Sequence, residues 1–532
     1  MGLGKSKSGL SKTAVILAVV AMVIVAALAA GFFVLQPTQQ AQPPSPKIFR
    51  MAVSVDLDTF DPAGQTTTTV ANMLDHVVET LFKINEKGEL LPNLATDYRF
   101  EEGGKVVIIK LKTGVKFHDG SPFNAQAVKF SLDRVLDPKI RVPIRAPYVA
   151  IDRVEVVDDY TVRLVLKYPF APLVNALTWT TAAIISPKTV ETPGNNYTLI
   201  TRPIGTGPYV ISEYVRGDRL VLTRAPEYWG KKPYYDQIVF KIVPDAATRL
   251  SQMLAGEVDM IMLPPVAEIE KLKNNPNVKV LLAPSNRLIF ISINNQVEPF
   301  KDKRVRQALN YAVDKESIIK NVMFGVVDPV DSPMHKSLFG YCSVGQYPYD
   351  PARARELLRQ AGVSPGTKVL FIYPTGRYIN DAVAALAIAG NLREIGFDVE
   401  TRTMDWPTYV ATINRPPDQV THQLHLLGWA PAYLDAYQMF LQYWSGYWPP
   451  AGLATSYYKN PRVDELFDQQ LKITDPAERA KVLCEIAKIV WDDAPFIFLW
   501  TQNFPLVYSA KIKGVSYLPN EKFVIVNAEP AG

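Results

Sequence analysis

The chain has 532 residues, a formal net charge of +5 and two cysteines, with an ordinary hydrophobic content of 48%. That length is too great for a single core, so two or more domains are expected. The dispersed basic residues exclude a nucleic-acid face, and two cysteines exclude a disulfide scaffold. Cys342 and Cys484 are expected as two buried thiols, the alternative being one bridge if their Cα atoms come within about 7 Å.

The N-terminus carries Lys5, Lys7 and Lys12 and no acid. Residues 13–35 then run without a charge, enough for a helix to span ~30 Å of hydrocarbon. Lysines ahead of such a run predict a cytoplasmic N-terminus. The rival reading is a cleaved signal peptide. The run exceeds a usual signal core, so a retained transmembrane anchor over 1–35 is expected. Residues 36–47 (QPTQQAQPPSPK) form a Pro/Gln linker of extended geometry.

Globular patterning begins at Ile48. A strand is expected over 48–55, a helix over 70–81 and strands over 106–111 and 162–166. Asn124 caps an expected helix over 125–135. At 202–230, Gly205, Gly207 and Pro208 suggest a turn that uses positive φ. Strands over 209–215 and 220–224 follow, joined through Arg216 to Arg219 as a hairpin with a solvated turn. Because a strand follows the glycines, they do not cradle phosphate. A helix over 248–254 ends at Gly256, and a short strand over 259–263 follows.

The organisation changes near Ser285. A strand is expected over 288–294 and a helix over 304–321. Helices over 351–361 and 382–395 alternate with strands over 368–373 and 398–403, which predicts a largely parallel sheet. Helices over 462–470 and 477–492 follow, then strands over 496–500, 506–509 and 523–526.

No constellation of catalytic residues stands out. The chain has no G-x-S-x-G, H-E-x-x-H or C-x-x-C. His118 reads as a hydrogen-bonded loop histidine. His422 and His425 fall in an expected strand, where alternation sends them to opposite faces and away from a shared metal. Neither a cofactor nor a metal is expected. Binding is better supported, because aromatics crowd 406–448. Most such residues pack cores. Trp429 is the exception, ending a strand before an irregular run, where α/β sheets place ligands. Asn294 and Asn295 end another strand and are candidate donors to a ligand, or turn caps.

Six segments in order carry a resemblance. They are 55–62 (VDLDTFDP), 78–82 (VETLF), 111–122 (LKTGVKFHDGSP), 205–209 (GTGPY) with the hairpin and 225–230 (APEYWG), 235–259, and 305–314 (VRQALNYAVD). Together they resemble the family 5 extracellular solute-binding proteins of ABC importers, the oligopeptide- and dipeptide-binding type. The resemblance implies a two-lobed periplasmic-binding-protein-like α/β fold, type II and cluster C-like. Lobe I with an inserted subdomain would cover 48–287, lobe II 288–494, and 495–532 would return to lobe I. Hinge crossings are expected near 285–295 and 493–504.

It also implies a non-enzymatic protein that closes over an oligopeptide and docks on ABC permease subunits driven by a cytoplasmic ATPase. Family members read G-W-x-x-D-Y-x-D-P; this chain reads GWAPAYLDA from Gly428, so Ala432 replaces the aspartate that pairs a peptide ammonium. Asp435 or Glu79 would then take that role, or the ligand has no free ammonium. Oligosaccharide is the alternative ligand, since sugars stack on Trp and Tyr. The candidate ligand-binding set is Trp429, Tyr433, Asp435, Trp406, Asn294, Asn295 and Glu79.

Overall fold

The computed structural model describes residues 1–2, 11–34, 46–170, 172–431, 434–473 and 475–532. Residues 36–45 of the expected linker, Lys5 and Lys7, and Ala432 and Tyr433 lie outside the described residues. The chain divides into two units, Met1–Pro46 and Lys47–Gly532. The first holds one helix, Lys12–Val34, whose apolar side chains from Val15 to Leu28 are exposed. Among the described residues, no helix is long and apolar enough to cross a membrane; on this helix the described side chains end at Leu28.

The second unit is a two-lobed α/β fold built on one eleven-stranded mixed sheet. Its strands are β1 (Ile48–Val53), β2 (Tyr209–Val215), β3 (Arg219–Arg224), β4 (Gln237–Ile242), β5 (Met260–Met262), β6 (Val278–Ile293), β7 (Val327–Pro329), β8 (Lys368–Pro374), β9 (Asp398–Met404), β10 (Leu424–Trp429) and β11 (Phe496–Ser509). The order is β9-β8-β10-β6-β11-β5-β1-β4-β3-β2, with β7 also on β11. Parallel pairs lie in both halves, β1 with β4 and β5, and β8 with β9 and β10. The expectation of a mainly parallel sheet fails at its centre, where β6 and β11 run antiparallel from Val278↔Ser509 to Ser292↔Phe496. That pairing also explains why the two short strands expected over 496–509 are one. The partner strand runs on through the polar interval Thr501–Asn503, pairing Leu288↔Thr501 and Arg287↔Gln502 on one side of a register shift and Ala283↔Phe504 on the other.

β6 and β11 are shared by the two halves of the sheet. The start of β6 and the end of β11 pair beside β5, and the end of β6 pairs β10. Their register shifts between Ala283 and Arg287. Two strands with a register break thus connect the two halves of the sheet. An antiparallel four-stranded sheet, Ala95–Glu101, Val106–Leu111, Thr161–Leu166 and Ile151–Asp158, adds a subdomain. The helix Ala125–Leu136 packs on it, and the Asn124 side chain accepts from Ala127 N as expected.

Several expectations are corrected by long-range backbone contacts. The helix expected over 70–81 spans only Thr68–Leu74. Beyond it the carbonyls serve other segments: His76 O accepts from Tyr209 N, Val77 O from Gly207 N and Glu79 O from Ile184 N. Gly205 and Gly207 are required by that approach and not by positive φ. A Cβ on Gly205 would sit 2.0 Å from Val77 O, and one on Gly207 2.6 Å from His76 O. His118 fastens the same turn, with Nε2 2.8 Å from Gly207 O and Nδ1 accepting from Gly205 N. Gly205→Ala is expected to destabilise the fold by about 3 kcal/mol, since backbone must move to admit one methyl. A fall in the denaturant midpoint at unchanged slope checks this.

The hairpin turn at Gly217 is not merely solvated. Its N–H donates to buried Asp56, which also accepts from the Tyr214 hydroxyl. The helix expected over 304–321 is two, Lys303–Ala312 and Lys315–Asn321, because Asp314 caps the second. Cys342 and Cys484 form a disulfide with Cα atoms 5.6 Å apart, so the two-thiol reading is replaced.

Candidate functional site

Where the lobes meet, the end of β10 and the register break of β6 face the start of the helix Thr68–Leu74. Trp429, Gly428 and Leu427 come from β10, Arg287 from β6, and Thr66 and Thr68 from the first lobe. Trp406 opens the helix Trp406–Ile413, and Arg377 and Tyr378 lie in the loop after β8. Together with Trp179 they line a cavity of about 50 Å³. None of the described lining residues is acidic.

Two buried arginines dominate it. Arg287 Nε donates to Glu521 Oε1 at 2.6 Å, and Nη2 contacts Glu521 Oε2. Nη1 donates to Gly428 O at 2.9 Å. Glu521 also accepts from Ser285 Oγ (2.7 Å) and Thr68 Oγ1 (3.1 Å). Burial opposes both charges, yet the mutual attraction wins. Arg287 is held above its ordinary pKa and Glu521 below. That ion pair is internally satisfied.

Arg377 is not. It is 2% exposed. Its Nη2 donates to Thr68 Oγ1 at 3.0 Å, while Nε and Nη1 have no partner. The guanidinium lies over the Tyr378 and Trp406 rings, 5.0 and 5.2 Å from their centroids. Burial, then the like charge of Arg287, push it down to about 10, so it is a cation at neutral pH. A buried cation lacking a close counter-ion costs several kcal/mol. The other unpartnered buried polar atoms on lining residues are the indole nitrogens of Trp406 and Trp179. All four atoms are hydrogen-bond donors. Each of them lacks an acceptor.

Of the expected set, Trp406 and Trp429 meet in this cavity. Trp429 fixes its ring by donating Nε1 to Gln438 O at 3.0 Å. Asp435, Glu79, Asn294 and Asn295 lie elsewhere, and Tyr433 falls outside the described residues. Asp435 is bidentate with Arg479, both contacts 2.7 Å, and caps the helix Ala436–Phe440. Glu79 is half-buried, accepts from Thr206 (2.8 Å), Tyr228 (3.1 Å) and Trp229 (2.7 Å), and lines a different cavity. Burial raises its pKa against those bonds. Asn294 accepts from Gln296 N, as a turn former does, and Asn295 donates to Ile293, Ser456 and Pro495 carbonyls. Neither lines the Trp429 cavity.

His422 and His425 also depart from expectation. β10 begins at Leu424, so alternation does not apply to His422, and the two rings meet at 5.0 Å. Burial lowers both pKa values, His422 to about 4.

A family profile, bacterial extracellular solute-binding proteins family 5 (middle), matches residues 89–450. Glutathione-binding protein GsiB of Pectobacterium atrosepticum is 32% identical over 476 residues, 89% of this chain and 91% of that protein. GsiB of Escherichia coli (strain K12) is 28% identical over 482 residues, 90% and 94% of the two chains. DppA from Helicobacter pylori, solved with the peptide STSA, superposes with a TM-score of 0.81 at 25% identity, covering 89% of this chain and 96% of that one. AppA from Bacillus subtilis, solved with a nonapeptide, gives 0.84 at 24% identity, covering 92% and 100%. The chain belongs to the family 5 bacterial extracellular solute-binding proteins, a family that binds solutes and catalyses no reaction.

Proposed function

We propose that this protein is the extracellular binding component of an ABC importer and that it captures a short peptide by its carboxylate. The lobes, 48–287 with 495–532 and 288–494, rotate about β6 and β11 and close on the ligand. The closed form delivers it to permease subunits driven by a cytoplasmic ATPase. The helix Lys12–Val34, uncharged beyond its first residue, serves as the membrane anchor, and 36–47 as the spacer.

One observation carries the ligand class: Arg377, buried, cationic and with two free N–H groups, in a cavity whose unpartnered atoms are all donors. An anionic ligand supplies what is lacking, and closure is favoured because that contact is complete only when both lobes surround it. The names of the relatives agree, since GsiB is a glutathione binder and DppA was solved with a peptide. With no described acid in the lining, a free ammonium is not required. Oligosaccharide, which the aromatic walls alone would suit, brings no charge for Arg377.

Thermal denaturation with trialanine, its C-terminal amide, N-acetyl-trialanine, glutathione and maltotriose tests this. A ligand at 100 times its Kd adds about 2.7 kcal/mol of stability. Trialanine and its N-acetyl form are expected to raise the melt, and the amide and the sugar to leave it unmoved. A shift with maltotriose alone contradicts the proposal.

A further inference from the structure

The loop that presents Arg377 is itself held by one side chain. Asp381, 5% exposed, opens the helix Asp381–Glu394. Its Oδ1 accepts from Gly376 N (3.2 Å) and Ala382 N (2.9 Å), and its Oδ2 from Arg377 N (2.8 Å) and Tyr378 N (3.1 Å). A single carboxylate thereby fixes three consecutive backbone positions, with Arg377 in the middle. The loop has no slack on its other side. Gly376 has φ +73°, and a Cβ there would meet Pro244 O at 2.3 Å. That carbonyl is in turn held by buried Arg249, which also donates to the carbonyls of Val243, Met262 and Leu263.

The charged and titratable groups facing Asp381 are Arg249 from the helix Ala246–Leu254, Arg377 and Tyr378 from its own loop, and Tyr409 from the helix Trp406–Ile413. Arg287 and Glu521 stand behind Arg377.

We propose that Asp381 is the positioning residue of the site: its ionised carboxylate aims Arg377 at the carboxylate of the ligand, so affinity falls when Asp381 takes up a proton. The inference rests on the carboxylate reading of the cavity. A protonated Asp381 turns one acceptor into an O–H donor that faces N–H groups, and the loop can no longer be held from one point. Burial, working against the four backbone N–H groups, raises Asp381 to about 6. A peptide α-carboxyl titrates at roughly 3.5. Between pH 7 and pH 5, therefore, Asp381 changes charge and the ligand carboxylate does not.

Asp58 titrates in the same window and must be separated. It is also raised to about 6 by burial, and it accepts from Thr66 of the cavity wall at 2.6 Å.

The test is calorimetric titration of trialanine into the full chain at pH 7 and pH 5, for the native protein, Asp381→Asn and Asp58→Asn. Native affinity is expected to fall about tenfold between the two pH values, the change in the ionised fraction of a group with a pKa near 6. Asp381→Asn, whose amide nitrogen cannot accept, is expected to bind weakly at both pH values and to lose the pH dependence. Asp58→Asn keeps it. Amide exchange is expected to quicken at 376–378 in Asp381→Asn, with protection elsewhere unchanged.

Native-like binding by Asp381→Asn, or a native pH profile in it, overturns the inference alone. No binding of trialanine by the native protein overturns the carboxylate reading and the inference with it. Should Asp381→Asn fail to fold, the native profile against that of Asp58→Asn carries the test: a profile flattened by Asp58→Asn assigns the titration to Asp58 and overturns the inference.

Discussion

Arg377→Gln is expected to weaken trialanine binding about 100-fold while the ligand-free protein melts no lower than the native one. Two charge-assisted hydrogen bonds are lost, each worth about 1.5–3 kcal/mol, and about 3 kcal/mol is a factor near 100 in Kd. The stability side has the opposite sign. In the native protein Arg377 is a buried cation with two N–H groups unpartnered, so neutralising it removes a desolvation cost. Its stacking on Trp406 and Tyr378 is worth about 0.5–2 kcal/mol and is partly kept by the planar amide. A structural arginine would show the reverse: a lower melt and unchanged affinity. Calorimetry and a thermal melt on the same preparation decide between them.

Glu521→Gln is expected to be the most destabilising single change, by about 3–5 kcal/mol. It leaves Arg287 buried without its carboxylate, and breaking one side of a buried pair is far worse than removing both. The loss should be large because Glu521 gathers Ser285 and Arg287 from β6 and Thr68 from a second segment. Its backbone also sits at φ +63°, which a non-glycine residue holds only where the surroundings enforce it. Chemical denaturation of Glu521→Gln against the double variant Arg287→Met with Glu521→Leu checks the cause. The double variant is expected to recover most of the loss; an equal loss in both would mean packing, not charge, is responsible.

What the sequence made legible follows from range. Elements whose signals are local came out well: the capped helix Ala125–Leu136 and strands β8 and β9 lie within a residue or two of expectation. Trp429 was legible because a tryptophan ending a strand before an irregular run has few structural uses. Failures came where a distant segment decides. The helix stopped at Leu74 because Tyr209, Gly207 and Ile184 claim the carbonyls beyond it, and no local pattern encodes that.

The acids failed in a more instructive way. A half-buried carboxylate does need a partner, but Asp435 finds Arg479 and Glu79 finds Thr206, Tyr228 and Trp229. Both are satisfied within the fold, and neither lines the cavity at Trp429. Arg287 and Arg377 escaped notice for the complementary reason. Whether an arginine is paired depends on what lies across the lobes, and Glu521 is 234 residues from Arg287. The one available hint was the Ala432 replacement, which argued that the ligand need not be held by its ammonium.

The central claim is that two lobes close on a carboxylate-bearing solute. Small-angle X-ray scattering of the protein with saturating trialanine, and with trialanine amide at the same concentration, tests it directly. A smaller radius of gyration is expected with trialanine, and the ligand-free value with the amide. An unchanged radius with both peptides, while calorimetry reports trialanine bound, would contradict it.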